Sequence, residues 1–279
     1  MKKLVITTIV LGSLLLVGGA ALVGYGYAKG YANAEKITTP YEISTEISNI
    51  NIDLNVTDLE FKVSEGDEKK VICEHTEKIV HEVNVDTENK TLSIKQNDKR
   101  AWYEKWFDFT VSYLKATVYL PAGNYGDLKI ESSTGNIRMD EGFTFNSVDI
   151  KLSTGNINAK ISSVNDFKVV ASTGKVELEN STAKNYDIET STGLVKLTNV
   201  VASENMKVHC STGGIKLSSV DAKTLDLKSS TGDIEGSIKT AKKFEAEVST
   251  GSVKVPPSDP SAGLCKIKTS TGDINITIG

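Results

Sequence analysis

The sequence predicts an all-β chain: a β-solenoid of about eight rungs of 19–21 residues, behind an N-terminal β cap region and one hydrophobic helix. Three observations carry this. First, Ser-Thr-Gly recurs eight times, with its glycines at Gly135, Gly155, Gly174, Gly193, Gly213, Gly232, Gly251 and Gly272. A fixed period near twenty residues marks a stacked, quasi-one-dimensional architecture. Second, apolar and polar residues alternate within each arm, the period of a half-buried strand. Across the triplet the parity flips: Leu152 and Ile157 both read as inward although they lie five apart. A corner does this, and glycine suits it because it accepts positive φ. Third, the position four before each Ser reads Lys129, Asp149, Lys168, Asp187, Lys207, Asp226, Glu245, Lys266. Parallel stacking sets such equivalents about 4.8 Å apart, where opposite charges attract. An antiparallel meander gives no reason for the alternation.

Taken in chain order, residues 1–34 come first. Lys2 and Lys3 precede an uncharged run from Leu4 to Ala28. That run is long enough, at about 1.5 Å per residue, to span a bilayer. The expectation is a single-pass membrane protein with an extracytoplasmic C-terminal part. The alternative is a signal peptide cleaved near Ala34, where Ala32-Asn33-Ala34 offers a site. No Cys lies near the segment, which excludes a lipoprotein anchor.

Residues 35–126 show β alternation without the triplet, as in Ile50-Asn51-Ile52-Asp53-Leu54 and Leu59-Glu60-Phe61-Lys62-Val63. Solenoids need atypical terminal units to cover the first rung, so this region reads as a cap or as irregular early rungs. Within it, the stretch 101–109 holds both tryptophans. Trp102, Tyr103, Trp106, Phe107 and Phe109 form the candidate binding surface, an aromatic platform for sugar or a lipid-interface contact. The competing reading is an insertion that folds back over one end of the core. Residues 127–279 form the repeat itself, about 38 Å tall at the interstrand spacing. The chain stops at Thr277-Ile278-Gly279 on the last predicted strand, which leaves an open sheet edge there. That edge is either short and solvated or a docking site.

Composition bounds function. A net charge of −4 with 24% charged residues offers no basic field, which argues against nucleic-acid partners. Cys210 and Cys265 sit in inward columns too far apart to bridge, and Cys73 has no assignable partner. His209 lies in a charge column. His75 and His81, with Glu74, Glu77 and Glu82 nearby, are explained as well by an acidic surface as by a metal site. Glycoside chemistry needs two carboxylates at a defined separation in a cleft. Most outward acids here are interleaved with lysines, and Asp233, Glu235 and Asp273 have no accompanying base or nucleophile. No catalytic, cofactor or metal residues are therefore assigned.

The hydrophobic N-terminal segment, Tyr119-Leu120-Pro121, Leu128-Lys129-Ile130 and the repeated Ser-Thr-Gly-x-Ile together resemble the bacterial "putative adhesin" β-strand-repeat family over roughly residues 40–279. The resemblance implies an exported or membrane-anchored protein of Gram-positive bacteria, in some cases encoded beside envelope stress-response systems. It implies no catalytic residues. The functional expectation is a non-catalytic extracytoplasmic protein that presents a rigid solenoid to cell-envelope polymer or to a membrane protein. The alternatives are an accessory or scaffold subunit of an envelope stress-response system and, more distantly, a polysaccharide-acting enzyme.

Overall fold

The computed structural model describes residues 35–101 and 114–279, whose strands join in one mixed sheet. From the amino end come β1 (Ile37–Glu42), β2 (Asn49–Val63), β3 (Lys70–His75), β4 (Ile79–Asp86), β5 (Thr91–Asp98) and β6 (Leu114–Leu120). The repeats supply β7 (Gly123–Thr134), β8 (Ile137–Met139), β9 (Phe143–Thr154), β10 (Ile157–Ala159), β11 (Ser162–Ser163), β12 (Asp166–Thr173), β13 (Val176–Thr192) and β14 (Val195–Thr212). They continue as β15 (Ile215–Val220), β16 (Thr224–Thr231), β17 (Ile234–Ile238), β18 (Lys243–Thr250), β19 (Val253–Lys254), β20 (Leu264–Thr271) and β21 (Ile274–Ile278).

Successive repeats pair in parallel and in register, as in Ile150↔Val169, Val169↔Ile188 and Ile188↔Val208. The triplet is the corner between two arms. Each corner glycine has φ near +140°, and all but Gly251 in the terminal rung donate their N–H to the Thr carbonyl of the adjoining rung, as Gly174 does to Thr192 at 2.9 Å. The position after the glycine carries a second ladder. Asp58 Oδ1 accepts from the N–H of Asn136 at 2.6 Å, Asn136 Oδ1 from that of Asn156 at 3.1 Å, and Asn156 Oδ1 from that of Lys175 at 2.9 Å. Short polar side chains at a corner satisfy main-chain donors that the sheet leaves over.

Inward columns fill the core with Ile130, Ile150, Val169, Ile188, Val208 and Leu227, all fully buried. Phe167 and Tyr186 stack at 5.2 Å, and the Tyr186 hydroxyl is held by Ser181 Oγ at 2.7 Å. All three cysteines are free and buried.

The architecture corrects the fold expected from the sequence. There is no separate cap with a simple solenoid behind it. β2 is long enough to turn a corner, pairing in parallel with β7 before the bend and with β8 after it. β13 also turns a corner, pairing with β10 before its bend and with β12 after it. The pairings β2–β7–β9–β12–β13–β10–β8–β2 therefore close a ring of seven parallel strands, and the winding is β-helix-like. Its first corner reads Asn55-Val56-Thr57, with no triplet. The described residues contain no helix.

The stack also departs from chain order at both ends. β2 lies between β7 and β8 on one side and the later β5 and β6 on the other. At the far end, β20 sits between β16 and β18, and β21 sits between β17 and β19. The last repeat in sequence is thus the next-to-last in space. The corner ladder follows the same order, because Gly232 donates to Thr271 and Gly272 donates to Thr250. On its outer side β21 is covered by β19 only at Ile274 and Asn275, so Thr277 and Ile278, which pair with Ser237 and Ile238 of β17, keep the open edge expected there, and β18 and β19 extend it.

Among the described residues no helix is long and apolar enough to cross a membrane. Residues 1–34, on which the expected anchor falls, lie outside the described residues. The single-pass membrane localisation is corrected accordingly and is set aside.

One buried cation helps hold the exchanged end. Lys242 Nζ donates to Asp221 Oδ1 at 2.7 Å and to Thr240 Oγ1 at 2.6 Å, with its side chain 5% exposed. Removing one member of such a pair strands the other. Lys242→Met is expected to lower stability by about 3 kcal/mol in urea unfolding. A loss within experimental error would show that Thr240 and the main chain suffice to hold Asp221.

Candidate functional site

The outermost N-terminal rung is built from β5 and β6, which pair in parallel with the two arms of β2. Between them, where the repeats carry Ser-Thr-Gly, the sequence instead carries residues 102–113, which lie outside the described residues. Among the described residues the neighbouring corner of β2 has no backbone partner on that side. Gln96 supplies one: its Oε1 accepts the N–H groups of Asn55 at 2.6 Å and Val56 at 2.9 Å. Across the antiparallel β4–β5 pair, Gln96 faces His81. His81 Nε2 meets Thr57 Oγ1 at 2.9 Å, and Thr57 pairs with Leu114, the first described residue after that segment.

A closed cycle holds the second histidine. His81 N–H donates to His75 Nδ1 at 3.0 Å, and Tyr41 O–H donates to the His81 carbonyl at 3.2 Å. The His75 Nε2–H is left to donate to the Tyr41 oxygen at 3.3 Å. Each bond fixes the next, so the cycle requires neutral His75 with its proton on Nε2. Among the described residues, His81 Nδ1 and Gln96 Nε2 are buried without a hydrogen-bond partner. Burial holds the His75 pKa below the ordinary histidine value. Burial, and next the charge of neighbouring His75, push His81 down to about 4.

Linkage gives the sign. The unfolded chain protonates these imidazoles near pH 6.5, whereas the folded protein resists until lower pH. The stability they contribute is therefore present above about pH 6.5 and is lost as pH falls toward 4. For His81 the loss is on the order of 3 kcal/mol. Urea midpoints measured from pH 7 to pH 5 are expected to fall, and to fall distinctly less in His81→Gln. An identical slope in that variant would remove His81 as the cause.

The predicted surface residues Trp102, Tyr103, Trp106, Phe107 and Phe109 lie outside the described residues. The acids singled out from the sequence are placed. Asp233 Oδ1 accepts the N–H of Asp273 at 2.8 Å, and Asp273 Oδ1 accepts both the N–H and the hydroxyl of Ser252 at 2.7 and 2.9 Å. Main-chain and hydroxyl donation from Ser252 holds the Asp273 carboxyl below its ordinary range. Both aspartates are corner caps. Glu235 pairs with Lys216 at 2.8 Å beside an open depression of about 300 Å³ bordered by Gly236, Asn275 and Thr277. Glu131, Glu177 and Glu189 are each held ionised by adjacent lysines. Among the described residues no group of three or more His, Cys, Asp or Glu side chains is placed to hold a metal ion.

Sequence reasoning missed Gln96, Thr57 and the His75–Tyr41 cycle. Their signal was present in the parity flip between Leu54 and Leu59, both buried and five apart, which marks a corner without the triplet.

Stacked parallel arms, glycine corners and hydrogen-bonded polar ladders define a β-helix-like repeat protein. The chain belongs to the Toastrack DUF4097 family, whose model matches residues 47–278. A "putative adhesin" from Bacteroides fragilis is 15% identical with a TM-score of 0.52, over 87% of this chain and 97% of that one. At that identity the likeness is one of fold. A "putative adhesin" from Parabacteroides merdae is 12% identical with a TM-score of 0.46, covering 88% of this chain and 97% of its own. A "putative lipid binding protein" from Parabacteroides distasonis is 16% identical with a TM-score of 0.44, covering 88% and 98%. No curated protein matches the sequence.

Proposed function

We propose that the protein is a non-catalytic binding protein whose flat, rigid flank adheres to a repetitive partner, with cell-envelope polymer as the class of ligand. The observation that carries this reading is the regularity of the outward columns. Lys129, Asp149, Lys168, Asp187, Lys207, Asp226, Lys266 and Glu245 follow one another at the strand spacing in spatial order. A lattice of alternating charges about 4.8 Å apart presents the same contact many times. A repeating polymer engages such a lattice multivalently, so weak single contacts sum. The name carried by the Bacteroides fragilis protein of this fold points the same way. Of the column's carboxylates, Asp187 pairs with Lys207, Glu245 with Lys243 and Asp226 with His209, which suits display rather than proton transfer.

Co-sedimentation of the full chain with purified bacterial cell-wall material tests this. Saturable retention that declines with salt is expected, since exposed charges are screened within about 8–10 Å at physiological ionic strength. Replacing Trp102, Tyr103, Trp106, Phe107 and Phe109 by alanine separates recognition by the aromatic segment from recognition by the flank. Lack of retention on wall polymer would count against the reading. Release of soluble sugar would overturn its non-catalytic part.

A further inference from the structure

The rung exchange moves the free end of the stack onto β18, which pairs with β20 on one side and with no described strand on the other. In a parallel ladder the N–H and C=O of one residue serve one neighbour, and those of the next residue serve the other. Lys243 N–H donates to the Gly263 carbonyl at 2.9 Å, so Lys243, Glu245 and Glu247 are bonded toward β20. Phe244, Ala246 and Val248 therefore turn their main-chain groups outward. Ser258 Oγ takes the Phe244 N–H at 2.9 Å, which leaves Ala246 and Val248 as the open run.

The side chains say what could fill it. In the adjacent rung Cys265, Ile267 and Thr269 are fully buried, whereas Phe244, Ala246 and Val248 in the same columns are only half-buried. One more apolar layer would complete the core. Glu245 and Glu247 are exposed on the outer face of the sheet. On its occupied side, β18 already receives Cys265-Lys266-Ile267-Lys268, with apolar residues against Phe244 and Ala246 and lysines against Glu245 and Glu247. Lys268 Nζ reaches Glu247 Oε2 at 3.0 Å. The free side presents the same side chains in the same register.

We propose that the free edge of β18 docks an extended segment of another polypeptide that alternates apolar and cationic side chains and adds as a further parallel strand. Strand addition gives affinity through the main chain and selectivity through alternate side chains. A second copy of β18 fits poorly. Antiparallel pairing centred on Ala246 opposes Glu245 to Glu247, and centring on Glu245 opposes that residue to itself, which puts like charges face to face. The same acidic pair that guards the edge against self-association thus selects a basic partner.

The probe is a dye-labelled synthetic peptide with the sequence of residues 264–278, titrated against the full chain by fluorescence anisotropy. Saturable binding is expected, weakened at least tenfold when both peptide lysines, at the positions of Lys266 and Lys268, are replaced by glutamate. In the protein, Ala246→Pro removes an outward N–H while leaving the β20 ladder intact, since proline is tolerated where a strand's N–H faces solvent. Binding should vanish in this variant with the thermal transition unchanged. If Ala246→Pro fails to fold, the charge-reversed peptide still decides, because the protein is then unaltered. Absence of binding, equal binding of the two peptides, or binding that survives Ala246→Pro would overturn the proposal. So would a dimer abolished by Ala246→Pro without peptide binding, which gives the edge to a second copy.

Discussion

Removing residues 264–279 is expected to abolish cooperative folding of the far half of the stack, well beyond the fraying that loss of a terminal rung would cause. The deleted segment is interior. β20 and β21 bury Cys265, Ile267, Ile274 and Ile276 between two other rungs. At roughly 1.5–3 kcal/mol for each fully buried isoleucine, the three isoleucines alone account for a loss on the order of 5–9 kcal/mol. That is comparable to the whole stability of a typical domain. Nor can the gap simply close. Bringing β18 against β16 would set Glu245 beside Asp226, whereas Lys266 separates them in the native stack. Limited proteolysis of the truncated chain should cut between residues 220 and 255. In the intact chain, amides of β20 should exchange with solvent more slowly than those of β18, although β20 lies nearer the chain end. Faster exchange in β20 would mean that the rungs stack in chain order and that residues 264–279 form only a terminal rung.

The same inversion shows how much of the molecule was legible. The triplet, the parity flip and the inward columns all act between near neighbours in sequence, so the corners, arms and core residues could be read directly. Rung order is a long-range property, and a period of twenty gives no information about which rung stacks on which. One clue survived in the charges. In sequence order the column four before each Ser breaks its alternation at Asp226 and Glu245; in spatial order Asp226, Lys266 and Glu245 alternate without a break. At the amino end the Asn55-Val56-Thr57 corner hid the first rung, because it keeps the geometry without the sequence signature. Its partner Thr57 is 78 residues from Gly135, so no local repeat search reaches it. The candidate site at that end depends on Gln96 and His81, whose roles arise only because β5 and β4 pair across a hairpin.

Gly174→Ala is expected to destabilise the protein by about 2–6 kcal/mol, although it adds a single methyl group at a partly buried corner. Two costs add. Gly174 has φ +136°, a conformation that side-chain-bearing residues adopt only under strain of about 1–3 kcal/mol. The added Cβ would also stand 1.8 Å from the carbonyl oxygen of Gly155, a main-chain atom that cannot swing aside. Relieving the overlap means spreading two rungs at the point where Gly155 donates its N–H to Thr173 at 2.9 Å. Overpacking of this kind costs about a further 1–3 kcal/mol. Two comparisons separate the terms. Gly66 has φ +63° with nothing within 4 Å of a built Cβ, so Gly66→Ala should show only the conformational cost, about 1 kcal/mol. Gly123 has neither a positive φ nor a close neighbour, and Gly123→Ala should be neutral or slightly stabilising. Urea unfolding of the three variants should rank them in that order. If Gly174→Ala matched Gly66→Ala, the close approach of stacked corners would carry no energetic weight, and the triplet's glycine would be explained by backbone angle alone.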